Sequence, residues 1–352
     1  MEKLKTTNTL LLIIVMPLIF YVLKILSFIF IPLVLSMFIA LLFLPLMRWL
    51  TKMKIPKLVS ILLIISIIAI VLKIGGVLVH YSSKEILAVD NTFVEKAKTK
   101  IVNLVISIEE NFGIERIEGK SVFEHYFEKN DFTKYFGSTI DFLSNTLSLI
   151  LMTAFFLVLW LLESINLQKV LNNTLLKQKF SSVKVFFKIE KDLIKFMKVK
   201  FIISLFTGIG VTLACLFFDV SFPIFWGLFA FIINFIQMIG SFISVILLAL
   251  FAFVELDSTG TLLFFILSIT AVQVLMGGIL EPVFMGKSFS INIITILVML
   301  SLWGYIWGIP GLIMAIPLTV FFKIIFEQFS STKILASLIS GSELIEYYPQ
   351  KK

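Results

Sequence analysis

Residues 273–326 read QVLMGGILEPVFMGKSFSINIITILVMLSLWGYIWGIPGLIMAIPLTVFFKIIF, and the fold turns on how this stretch is read. A carboxylate, Glu281, follows an uncharged run over residues 258–280 and stands directly before Pro282. A polar turn, Gly286-Lys287-Ser288, comes next, and residues 288–322 then carry no charge. As one straight helix those residues would extend about 52 Å, whereas a bilayer core is about 30 Å thick. The run is interrupted by Gly304, Gly308, Pro310 and Gly311, with Pro317 further on. Two half-length helices meeting at such a break, beside a carboxylate, can hold an ion or polar solute at membrane depth. One long tilted helix that happens to contain glycines is the competing reading. Gly304 and Gly308 also form a GxxxG pair, which permits close helix approach.

Working outward, the whole chain has the composition of a membrane protein. Of 352 residues 59% are hydrophobic, 38 are phenylalanine and only 15% are charged, and the mean hydropathy is +1.06. No soluble domain needs that much apolar surface, so the expectation is an all-α, polytopic membrane protein. The net charge of +8 fits loops held by an anionic cytoplasmic leaflet rather than nucleic acid. One cysteine, Cys215, excludes an intrachain disulfide, and His80 and His125 show no metal-ligand spacing.

About eight hydrophobic segments follow from the uncharged runs: 6–23, 25–47, 58–79 (with Lys73 inside), 142–162, 201–218, 220–254, 258–280 and 288–322. Lys24 separates the first two. The first is read as a retained membrane helix, because no small-residue cleavage site follows it. Loop 48–57 holds Arg48, Lys52, Lys54 and Lys57 and no acid; residues 163–200 hold nine lysines against Glu163, Glu190 and Asp192. Both are expected in the cytoplasm. Segment 84–141 carries eight basic and eleven acidic residues, and crossing parity places it outside. Its Phe93, Ala97, Ile101, Leu104, Ile108 and Phe112 predict an amphipathic helix. Phe180, Val183, Phe186, Phe187, Ile194, Phe196 and Met197 predict another over 163–200, lying on the inner leaflet. The organisation expected is thus N-terminal membrane helices over 1–83, an extracytoplasmic segment over 84–141, a transport core over 142–330 and a cytoplasmic tail over 331–352.

Residues 220–254 parallel 288–322 in length and carry Asn234, Gln237 and Gly240 at three-residue spacing. Paired interrupted segments point to a transporter binding site; interhelical hydrogen-bond glue is the alternative role for Asn234 and Gln237. If both segments cross once there are eight spans. If both are re-entrant there are six crossings, and parity does not choose between them. The candidate pathway residues are Asn234, Gln237, Gly240, Gln273, Glu281, Pro282, Lys287 and Asn292. Glu281 at membrane depth needs a partner, hydration or a proton, and Lys287 is the partner nearest in sequence. Pro282 disfavours helical geometry at Glu281 and predicts a helix end or bend there. Gly286-Lys287-Ser288 is not a phosphate-binding loop, because Glu281 stands where that pattern requires glycine. With no catalytic set or metal cluster in view, the expectation is a protein that is not an enzyme, with no cofactor beyond a coupling H+ or Na+.

These residues resemble the AI-2E family of bacterial membrane proteins. The pattern is carried by Gln273, Pro282, Gly286-Lys287-Ser288, Gly308, Gly311 and Pro317-Leu318, and earlier by Asn234-Phe-Ile-Gln237-Met-Ile-Gly240. The sequence departs from it at Gln237, where the family usually has Pro, at Ile291-Asn292-Ile293, and at Glu281. The resemblance implies a secondary transporter of the bacterial cytoplasmic membrane that exports autoinducer-2 or another small polar metabolite, as in quorum sensing. Sodium (or other monovalent cation)/proton antiport is the first alternative, and a non-transporting scaffold the second. It also implies a homo-oligomer, with a pentamer as one form, whose other partners are membrane lipids.

Overall fold

Lipid offers backbone groups no hydrogen-bond partner, so an apolar run of this length satisfies itself as helix. The computed structural model describes residues 17–87, 148–163, 181–236, 239–286, 291–329 and 332–340, together with isolated positions at 11, 15, 96, 99–100, 102–103 and 106. Among these residues there is no strand, and the chain is all-α. Helix α1 is Ser27–Lys52, α2 Lys57–Leu87, α3 Ser148–Glu163 and α4 Ser181–Phe217. Helices α5 (Pro223–Ile233) and α6 (Ile239–Glu255) follow. Then come α7 (Thr259–Gln273), a π-helix over Val274–Leu280 and α8 (Glu281–Met285), which together form one apolar rod. The last two are α9 (Ile293–Gln328) and α10 (Lys333–Ser340). Five of these are long and apolar enough to cross a membrane: α1, α2, α4, the α7–α8 rod and α9; α3, α5 and α6 are shorter apolar helices.

The two long uncharged runs fold in the same way. After α5 the chain turns at residues 234–236, and α6 packs back on α5. A β-carbon on Gly240 would lie 1.9 Å from the Ile233 carbonyl oxygen. At the other end of the pair, the Ser221 amide donates to a Glu255 carboxylate oxygen at 2.9 Å. Helix α9 breaks at Gly308, whose φ of 63° and ψ of −139° are not helical. A β-carbon on Gly311 would lie 1.9 Å from the Trp303 carbonyl oxygen, and one on Gly304 2.8 Å from Leu312 Cδ2. Residues eight apart in a straight helix are separated by about 12 Å along the axis, so the two arms of α9 lie side by side. Gly304 and Gly308 therefore do not act as a GxxxG pair: Gly308 makes the turn, while Gly304 and Gly311 accept the opposite arm.

Three apolar cores hold the bundle. One joins α1, the first half of α4 and both arms of α9. A second joins the last half of α4 to α5, α6 and α7. The third joins α1, α2 and α3. Helix α4 runs through the first two, and α5 packs closely on it where Gly208 meets Gly227.

Three expectations change. Residues 164–180 lie outside the described residues; within the helix expected over 163–200, residues 181–200 are not separate from the span at 201–218, because Ser181–Phe217 is one unbroken helix. Its lysine-rich half buries Leu193, Phe196 and Met197 in the first core. The runs 6–23 and 25–47 separate at Leu26, two residues beyond Lys24. Residues 17–25 are helical through Lys24, and the break falls at Leu26, whose φ of −90° and ψ of 23° are not helical, before α1 opens at Ser27. Lysine breaks no helix, and the Lys24 ammonium lies 3.7 Å from the Tyr305 ring centre, a cation–π contact. Nor does the helix end at Glu281, which keeps helical φ and ψ. Pro282 lacks an N–H and its ring crowds the carbonyl one turn back. The π-helix upstream absorbs this, with Glu281 N–H bonding to Met276 O. The amphipathic stripe from Phe93 to Phe112 lies outside the described residues.

The charged contacts sort to two ends of the bundle. At one end Arg48 pairs with Glu190, and Lys195 Nζ donates to Met285 O at 2.9 Å. At the other, Lys100 Nζ donates to Leu256 O at 2.7 Å and Phe253 O at 3.1 Å, and sits 3.1 Å from Asp257.

Candidate functional site

Where the first two cores meet, α4 presents Lys200, Ser204 and Thr207 inward, all buried. Spacings of four and three residues put them on one helical face. Lys200 meets Glu281 at the start of α8. Its ammonium lies 2.9 Å from one carboxylate oxygen and 3.1 Å from the other. Lys200 is 2% exposed and Glu281 4%. Transferring either charge alone from water would cost several kcal/mol, and the bidentate geometry offsets that cost only while both are present. One turn along α4, the Asn234 amide donates to Ser204 Oγ at 3.0 Å. Asn234 occupies the reversal between α5 and α6, so α4 ties that reversal and the α8 carboxylate to a single face. The Thr207 hydroxyl is spent locally on Ile203 O.

Sequence reasoning picked out Glu281 and Asn234 and missed both partners. Lys200 was the final residue of a basic loop when spans were bounded by charge, and that criterion fails where a charge is buried with a counter-ion. A signal for its inward orientation, though not for its partner, was the series Phe196, Ile203, Ser204 and Thr207, apolar or small on the face that Lys200 shares. Lys287 and Gln237 lie outside the described residues.

The remaining expected residues fall elsewhere. The Gln273 amide donates to Ser244 Oγ at 2.8 Å, joining α7 to α6. Pro282 is exposed on α8. Asn292 caps α9, its carboxamide oxygen accepting from Ile294 N–H at 3.1 Å, and its own N–H bonds Ile339 O at 2.9 Å. Gly240 serves close packing at the reversal. Gly304, Gly308 and Gly311 build the α9 turn, with Pro310 just beyond it. Pro317 is buried and borders an apolar groove of about 820 Å3 between α1, α2, α4, α5 and α9. Neither Glu281 nor Asn234 lines that groove. A second buried lysine, Lys323, sits on the returning arm of α9, 3.7 Å from Glu327. Among the described residues no group of three or more His, Cys, Asp or Glu side chains is placed to hold a metal ion.

Comparison with known proteins places this architecture. The "AI-2 transport protein TqsA" of Escherichia coli K12 is 26% identical over 324 residues, covering 89% of each chain. A candidate transport protein of Haemophilus influenzae is 23% identical over 332 residues, 91% of this chain and 92% of its own. Another from Borreliella burgdorferi is 29% identical over 216 residues, and that match spans 60% of this chain and 58% of the relative's length. The sequence profile described as AI-2E family transporter matches residues 10–331, which take in both doubled-back helices and the Lys200–Glu281 pair, and the chain belongs to that family.

Proposed function

We propose that this protein is a secondary transporter of the bacterial cytoplasmic membrane that exports a small polar metabolite past the Lys200–Glu281 pair. The buried bidentate pair carries the reading. A charged couple in a span is expensive, and here it sits where two doubled-back helices meet one continuous helix. As a unit it is neutral. A proton or cation on Glu281 would release Lys200, and an acceptor group on a solute would compete for the same ammonium. The similarity to the AI-2 transport protein TqsA makes autoinducer-2 the first solute to test. Sodium/proton antiport is the second reading, favoured by the titratable carboxylate of Glu281 itself.

The topology that accompanies this reading has five crossings: α1, α2, α3, α4 and the α7–α8 rod. The α5–α6 pair and α9 are re-entrant, each leaving by the face it entered. Lysine bias puts residues 48–57 and the start of α4 in the cytoplasm, and the Arg48–Glu190 pair joins them. Segment 84–141 and the α6–α7 loop then share the outer face, in keeping with the contact between Lys100 and Asp257. Lipids and further copies of the chain are the partners of this assembly.

The test is flux into liposomes containing purified protein, with imposed proton and sodium gradients, for wild type and Glu281→Gln. Labelled autoinducer-2 and a pH-sensitive dye report the two readings separately. Gradient-driven flux should fall at least tenfold in Glu281→Gln, about 1.4 kcal/mol or more in barrier, and its pH dependence should flatten. Equal rates and equal pH profiles would remove the pair from the pathway. Wild-type protein that responds to neither gradient would favour the scaffold.

A further inference from the structure

Three buried side-chain polar atoms have no hydrogen-bond partner among the described residues, and two of them belong to side chains that line one gap. Trp226 Nε1 on α5 and Gln273 Oε1 on α7 are both unpaired, on side chains 8% and 6% exposed. Together with Val211, Phe229, Ala230, Ser244, Val245, Leu248 and Ile269 these residues enclose a small gap between α4, α5, α6 and α7. Trp226, Ser244 and Gln273 supply its polar side chains.

The orientation of the Gln273 amide is determined by its neighbour. Ser244 Oγ donates its proton to Ser241 O at 2.9 Å, so it is left to accept from Gln273 Nε2 at 2.8 Å. Turning the amide over would set two acceptors against each other. The carboxamide oxygen is therefore the unpaired end, and the indole N–H is a donor only. Buried polar groups without partners are uncommon and each calls for an explanation. One donor and one acceptor on a single gap describe a complementary ligand. An anion would be repelled by Gln273 Oε1, and a cation by the indole N–H. A neutral group that both accepts and donates satisfies both.

We propose that Trp226 and Gln273 form a binding site for a neutral hydroxyl group, supplied by water or by a small alcohol, between α5 and α7. As it stands the gap is too narrow for a water-sized sphere, so occupation moves apolar neighbours aside, offset by two hydrogen bonds that the closed form lacks. The site involves neither Lys200 nor Glu281 and stands whether or not those residues carry transport.

The experiment uses full-length protein in lipid nanodiscs with 15N-indole tryptophan, the Trp226 signal being assigned by its loss in Trp226→Phe. Water contact is read by magnetisation transfer to the indole proton, and ethylene glycol is titrated as the alcohol probe. The Trp226 proton should show a long-lived water contact, a saturable shift with glycol, or both. Water contact alone identifies water as the occupant, and a saturable shift identifies an alcohol. In Gln273→Leu both responses should be lost at Trp226 while the Trp303 and Trp307 signals keep their positions. If that variant does not fold, Gln273→Met serves in its place. Absence of both responses in wild type, or their persistence without the Gln273 carboxamide, would overturn the proposal.

Discussion

Lys200 and Glu281 are withdrawn from water together, so removing one charge is worse than removing both. Glu281→Gln leaves an ammonium buried against a neutral amide, and Lys200→Met leaves a lone carboxylate. Each single change should destabilise the protein by about 3–5 kcal/mol, whereas an apolar pair such as Lys200→Met with Glu281→Leu should come close to wild type. Thermal unfolding of the three variants in one detergent measures this. The double variant separates stability from transport, because it should fold and yet carry no gradient-driven flux. Three variants of equal stability would show that water or another group compensates the lone charge.

At the scale of the element, the α9 reversal depends on glycines that serve it in different ways. Gly308 sits at φ 63° with nothing within 4 Å of a β-carbon, so Gly308→Ala meets backbone strain alone, about 1–3 kcal/mol. Gly311→Ala would drive a β-carbon against the Trp303 carbonyl, which belongs to backbone and cannot turn away. The nearest neighbour of Gly304 is the mobile end of Leu312. The expected order of destabilisation is Gly311→Ala above Gly308→Ala above Gly304→Ala. Gly311→Leu should abolish transport in protein that still inserts. Equal effects at all three positions, read as melting temperatures, would argue for a straight α9. The rod from α7 to α8 shows the converse case: it accommodates Pro282 by changing its hydrogen-bond register instead of turning.

At the scale of the molecule, the ionic contacts gather the charged loops into two groups, one around Arg48 and Glu190 and one around Lys100 and Asp257. Lys100 hydrogen-bonds Asp257, and its charge, then that of Lys96, holds the Asp257 carboxyl below its ordinary value of 3.8. A group whose folded pKa is depressed contributes fully above its unfolded value and loses that contribution as pH falls through the folded one. This contact should therefore be intact at neutral pH and be released only below about pH 4. Carboxyl 13C titration should place the Asp257 midpoint under 3.8 in wild type and nearer that value in Lys100→Ala; an unshifted wild-type midpoint would deny the contact. Sidedness follows from labelling single cysteines in a Cys215→Ser background with an impermeant thiol reagent on intact cells. Cysteines at Asp257 and Glu110 should label and one at Lys54 should not. If α5–α6 crossed once, Asp257 would behave like Lys54.

The sequence alone was enough for membrane residence, helical class, family likeness, the break near Gly308 and the isolated carboxylate Glu281. These follow from local quantities: run length against bilayer thickness, the conformational reach of glycine, and the expense of a lone charge in lipid. Parity left six crossings and eight equally open, because an apolar run of that length reads the same whether it tilts, bends or reverses. Only the tertiary structure brought Ser221 beside Glu255, laid Gly311 against Trp303 and carried the helix through Lys24. It also supplied the partners. Lys200 is 81 residues from Glu281, and Trp226 shares its gap with a carboxamide on a different helix. Contacts of that separation arise from how α4 threads between two cores, and no local pattern in the chain encodes them.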